Sequence, residues 1–218
     1  MKGLLIKDFK LMMLQRNFFI LIIAIVLGIM IFNEDVTFPF CFLSFIMSLF
    51  VVTTISYDDF DNGNTFLFTL PITRKIYIHE KYVLGILLGG LSWILAISFA
   101  VIVSAAKSIL VISDLFTTAF LIFPIIILMQ SVMIPFQIKY GGEVGRIAMI
   151  GTFGVIAVIG IVAVKIANLF FNIDLIYIFN TLNTLNMNTL IFIFMIFAFI
   201  CLLVSLKISL IIIEHKEF

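Results

Sequence analysis

The sequence predicts an all-α, polytopic membrane protein. It is read as six transmembrane helices, with an amphipathic interfacial helix before the first and a short charged-flanked helix between the second and third. Three observations predict this. Of 218 residues, 64% are hydrophobic and only 11% are charged, with a mean hydropathy of +1.32; soluble domains carry roughly a quarter charged residues. Charge-free runs near the ~20 apolar residues that cross a bilayer recur along the chain. The remaining charges are clustered, most densely between Tyr57 and Tyr82. Residues 1–218 read as a single membrane domain.

The first sixteen residues form the first element. Leu4, Leu5, Phe9, Met12 and Met13 share a broad face at helical spacing, edged by Lys2, Lys7, Lys10 and Arg16. Such a helix lies in the interface with its cations against anionic headgroups, or else extends the first span. The apolar runs then follow in order: Asn17–Asn33, Val36–Tyr57, Tyr82–Ala106, Leu115–Ile138, Ile147–Val164, and a last span from about Thr189. No small-residue cleavage site follows the first run, so it reads as an uncleaved membrane segment. Residues 168–188 combine Phe170, Phe171, Tyr177 and Phe179 with an Asn- and Thr-rich stretch. They fit a short re-entrant or interfacial external segment, or an early start to the sixth span.

Orientation follows from Lys and Arg. Six spans place Lys2, Lys7, Lys10, Arg16, Arg74, Lys75, Lys81, Lys139, Arg146, Lys207 and Lys216 on one side, and only Lys107 and Lys165 on the other. Both termini and the 57–81 loop are therefore expected in the cytoplasm, with the chain in a plasma membrane. The loop carries Asp58, Asp59, Asp61, Arg74, Lys75, Glu80 and Lys81 around an apolar middle, Thr65–Leu70. Hydrocarbon cannot solvate these charges, so they are expected in water or against another protein. Phe60, Phe66, Leu67 and Phe68 would be apolar anchors, the charges would fix register, and Pro71 would stop the helix.

Several function classes lack their residues. There is no HExxH, GxSxG or paired Cys/His spacing, and no Gly-Lys dipeptide for a P-loop. Asp114, Lys165 and Lys207 sit at the ends of their runs, as interface anchors do. The net charge of +1 comes without a basic run to hold nucleic acid. Cys41 and Cys201 fall in apolar runs and read as free thiols. What remains is a pathway for something apolar or amphipathic. Phe45, Met47, Ser48, Thr53 and Phe153 are candidates for its wall; ordinary helix packing would use the same residue types. Gly85 and Gly89 mark a close helix contact.

The N-terminal MKGLLIKDFKLM, the six spans, and the loop with Asp58-Asp59, Asn62-Gly63, Leu70-Pro71-Ile72-Thr73-Arg74-Lys75 and Lys81-Tyr82 resemble ABC-2 type exporter permeases. The specific motif covers only residues 56–82. The short form without a soluble domain is similar to phenol-soluble modulin exporters and to lantibiotic self-protection permeases. The resemblance implies two permease copies, or a copy and a paralogue, with two cytosolic ATPase subunits. It also implies a coupling helix at Asp61–Leu70, flanked by Asp58, Asp59, Arg74 and Lys75. Amphipathic peptides would be the cargo, and the chain itself would be no enzyme. ATP and Mg would be held by the partner, and this chain would bind no cofactor. A membrane-embedded small-molecule-binding subunit is the alternative reading.

Overall fold

The computed structural model describes residues 1–33, 36–60, 63–107, 112–142 and 187–216. Among them the chain forms α1 (Lys2–Leu14), α2 (Arg16–Phe32), α3 (Thr37–Ser48), α4 (Phe50–Asp59), α5 (Gly63–Thr69), α6 (Arg74–Lys107), α7 (Ile112–Tyr140) and α8 (Met187–His215). Among the described residues, four segments are long and apolar enough to cross a membrane: α3 with α4 as Thr37–Asp59, then α6, α7 and α8. The bent pair α1 and α2 makes a fifth if taken as one span. The expected fifth span, Ile147–Val164, and residues 168–186 lie outside the described residues.

α1 and α2 meet at 63°. The break is at Gln15, whose backbone leaves the helical region and whose side-chain amide donates to the Tyr57 hydroxyl at 2.8 Å. α1 buries Leu4 and Asp8 and turns Ile6, Phe9, Met13 and Leu14 outward. α6 starts eight residues before the expected Tyr82, at Arg74. Its 34 residues extend about 51 Å at 1.5 Å per residue, well beyond a hydrocarbon core of about 30 Å. Thr73 starts it as a cap, its Oγ1 accepting from the Ile76 amide at 3.3 Å.

Two apolar clusters fill the bundle. One holds Phe19, Phe50, Ile55, Tyr77, Ile78, Tyr82, Ile134, Ile138, Leu202 and Ile213; the other holds Val26, Met30, Phe40, Leu43, Ala96, Ala100, Ala119 and Ile126. Lipid is as apolar as these side chains, so close packing and hydrogen bonds must hold the helices together. α6 and α7 meet where Gly85 and Gly89 admit the Gln130 side chain, whose Nε2 donates to the Gly85 carbonyl at 2.8 Å. Nearby, Trp93 donates from Nε1 to the Ala119 carbonyl at 2.8 Å. α8 is joined through Tyr82, whose hydroxyl lies 2.5 Å from Ser205 Oγ and 2.8 Å from Ser209 Oγ. Ser205 also donates to the Ser131 carbonyl of α7.

α7 and α8 run parallel, since Ser131 lies beside Ser205 and the Ile138 carbonyl accepts from Lys216 Nζ at 3.0 Å. The start of α1, the loop around α5 and the end of α8 all lie at one end of the bundle. Lys107 reaches the Asn33 carbonyl at the other end, at 2.7 Å.

Candidate coupling site

The loop between α4 and α6 is built around α5. This seven-residue helix lies within the Asp61–Leu70 stretch expected for it. It ends two residues before Pro71, and Pro71 to Thr73 carry the chain into α6. Leu67 points inward and is buried in the core, and Phe68 is half-buried against it. Phe68 packs edge-on to the Tyr77 ring at 5.8 Å between centroids, and the Arg74 guanidinium lies 5.9 Å over its face. Phe60 and Phe66 are each 71% exposed, and Leu70 is 44% exposed. The outward apolar surface is thus Phe60, Phe66 and Leu70, and Leu67 belongs to the fold. Asp61 lies outside the described residues.

The charges depart most from the sequence reading. Asp58, Glu80 and Lys81 were expected in water or against a partner, and all three are buried within the chain itself. Lys81 Nζ lies 2.5 Å from Asp8 Oδ2, 2.7 Å from Asp58 Oδ2 and 3.8 Å from Glu80 Oε2, and it donates to Thr54 Oγ1 at 3.1 Å. Lys7 pairs with Asp58 and lies 3.2 Å from Asp8. Two ammonium groups and three carboxyls from α1, α4 and α6 therefore meet at one buried joint. Charges leave water at this cost only when paired with opposite charges and hydrogen-bonded, as Lys81 is here.

A second set of ties runs from the same loop to the end of α8. Arg74 Nη1 donates to the carbonyls of Ile213, Glu214 and Lys216 at 2.9, 3.0 and 3.0 Å. These belong to the last turn of α8 and its exit, where helix carbonyls lack intrahelical partners and a cation is favoured. Lys75 pairs with Glu214 at 3.2 Å. Asp59 lies 3.4 Å from Lys216 Nζ and accepts from Asn64 Nδ2 at 2.9 Å. The Asp59 carboxylate also lies against Gly141, which ends α7 at φ +72°, where a side chain would collide with it. Gln137 of α7 donates to Ser56 Oγ at 2.7 Å and to the Gly142 carbonyl at 3.1 Å.

Asp8 is the member that the sequence reading missed. Its signal is present: Leu4, Asp8, Leu11 and Met12 lie on one helical stripe, so the only acid in the segment sits on the inward face. Lys81 is legible in the same way, between Tyr77 and Gly85 on the buried stripe of α6.

The candidate wall residues scatter. Phe45 lines a cavity of about 260 Å³ with Phe38, Cys41, Phe42 and Ile126. Ser48 is buried and donates to the Phe45 carbonyl at 2.9 Å, and Met47 packs into both apolar clusters. Thr53 is half-buried on α4. Phe153 lies outside the described residues. A larger cavity of about 550 Å³ opens between α7 and α8, lined by Pro135, Phe136, Tyr140, Cys201, Ser205 and Ile208 among others. Sequence reasoning passed over it because its two walls lie about seventy residues apart.

Among the described residues the chain is a helical multi-pass membrane protein, with the short helix α5 at the bundle end where α1 begins and α8 finishes. The chain belongs to the ABC-2 family transporter proteins, whose family model matches residues 3–214. Neither a curated protein nor a solved structure matches it. Membership implies an ABC ATPase as partner and makes this chain a component of membrane transport.

Proposed function

We propose that this chain is the six-span permease subunit of a heteromeric ATP-driven exporter in a bacterial plasma membrane. It works as two permeases, identical or paralogous, with two cytosolic ATPase subunits. The observation that carries the reading is the exposed apolar surface of the loop around α5. Phe60, Phe66 and Leu70 are exposed, while Leu67 and Phe68 are packed into the fold. Exposed aromatic side chains supply the anchors that protein interfaces need. ATP and Mg belong to the ATPase, and both chain ends lie in the cytoplasm with α5.

The cargo is amphipathic or hydrophobic, and cytolytic or antimicrobial peptides of the phenol-soluble modulin kind fit best. Peptides that a producer must export to protect itself carry the same chemistry. Support comes from the apolar cavities beside α3 and between α7 and α8, which offer hydroxyl and thiol groups but few charges. A wall of that kind favours an apolar surface over a fixed charge, and anionic lipid would gather cationic ligands.

The test is co-purification followed by reconstitution. Phe60→Ala with Phe66→Ala should remove the ATPase from the pull-down while membrane insertion persists, since such anchors are worth about 2 kcal/mol or more each. An undiminished pull-down rejects α5 as the contact. In proteoliposomes, amphipathic helical peptides should raise ATP hydrolysis according to their hydrophobic face. Stimulation by small hydrophilic solutes alone would reject the peptide cargo and favour a small-molecule permease.

A further inference from the structure

The charges beside α5 are engaged inside the chain, and their partners fall into two groups. On one side, Asp58 and Lys81 are joined to Lys7 and Asp8 of α1. On the other, Asp59, Arg74 and Lys75 are joined to the last residues of α8. Each set holds one residue before α5 and at least one after it. α5 is thus slung between the first helix of the chain and the last.

We propose that these residues are positioning residues for transport: they carry a displacement of α5 to α1 through the Lys7–Asp8–Asp58–Lys81 joint, and to α8 through Arg74 and Asp59. This rests on the reading of α5 as the ATPase contact. α5 is too short and too exposed to deform the bundle by itself. Its push reaches the spans through whatever grips its two ends. The α1 joint is fully buried at Lys81, where low dielectric strengthens each ion pair. An apolar cluster of similar volume would hold α1 as well or better, so five ionisable groups there are not needed for stability. What ion pairs add is direction: Lys81 must follow Asp58 and Asp8, and it can exchange between them without leaving the site. Arg74, with three carbonyls on one nitrogen, likewise moves with the end of α8 as one body.

The experiment uses the permease purified with its ATPase, in a background of Cys41→Ser and Cys201→Ser. An environment-sensitive fluorophore is placed on a cysteine at Met13, exposed on α1, or at Ile211, exposed on α8. The response to ATP and Mg with vanadate is read at each position. Lys7→Gln with Asp8→Asn removes one charge of each sign and leaves Lys81 paired with Asp58. It should abolish the Met13 response and keep the Ile211 response. Arg74→Met should do the reverse. Both variants should retain the ATPase in the pull-down. The proposal is overturned if either variant releases the ATPase, which would make these charges docking residues. It is equally overturned if both responses survive, or if either variant loses both together. Retention of the ATPase by Phe60→Ala with Phe66→Ala, read in the same pull-down, instead overturns the docking assignment.

Discussion

At the scale of single residues, the fold turns on Lys81. Its ammonium has no access to solvent and is met by two carboxylates within 2.7 Å. Removing one partner of such a group strands the others in low dielectric, at a cost of about 3–5 kcal/mol. Lys81→Met should therefore lower the thermal midpoint of the detergent-purified protein sharply. Adding Asp8→Asn should recover part of the loss, because one stranded carboxylate is then neutral. A Lys81→Met protein as stable as the parent would show that the joint bears no load. In the sequence Lys81 stands among the loop charges, and its helical spacing from Tyr77 and Gly85 marks the face it takes but not the group that meets it. A lysine's environment depends on what packs over it, and here the cover comes from Asp8, seventy-three residues away. The exposed pair Phe60 and Phe66 was legible because aromatic residues beside charges at a loop need no distant partner to be noticed.

At the scale of elements, the boundaries shifted where charges fall inside helices. Hydropathy ends a span at its first charged residue, so α6 was expected from Tyr82. The backbone continues through Lys81, Glu80 and Lys75 back to Thr73, because a cap and a neutralising joint make those residues acceptable in a helix. The contact between α6 and α7 was half legible. Gly85 and Gly89 announced a close approach, and the structure supplies Gln130 as what approaches. Filling that space should separate the helices. Gly89→Leu is expected to cost about 1–3 kcal/mol by overpacking. It should also shift the emission of Trp93, the only tryptophan in the chain, which bridges α6 and α7 close by. Unchanged emission with unchanged stability would mean that the contact has slack.

At the scale of the whole molecule, the chain ends and α5 share one end of the bundle, and Asn33 and Lys107 mark the other. The positive-inside rule predicts that the α5 end faces the cytoplasm. With Cys41→Ser and Cys201→Ser as background, a cysteine at Asn33 should react with an impermeant thiol reagent added to intact cells. One at Thr65, exposed on α5, should react only after permeabilisation. Labelling of Thr65 from outside would invert the topology and remove the ATPase contact with it.

The sequence by itself determined the membrane class, the apolar crossings that fall within the described residues, the bundle end at which most of their cations gather, and the polar loop that resembles an ABC-2 coupling segment. These follow from composition and periodicity, which act locally and are set by transfer between water and hydrocarbon. Only the tertiary structure decided which charges of that loop are free. Asp58 and Lys81 close on α1, and Arg74 and Asp59 close on the end of α8. The physical reason is that an ion pair is a property of two positions. Local sequence shows that a charge exists, and only the packing of distant helices shows whether water or another side chain meets it.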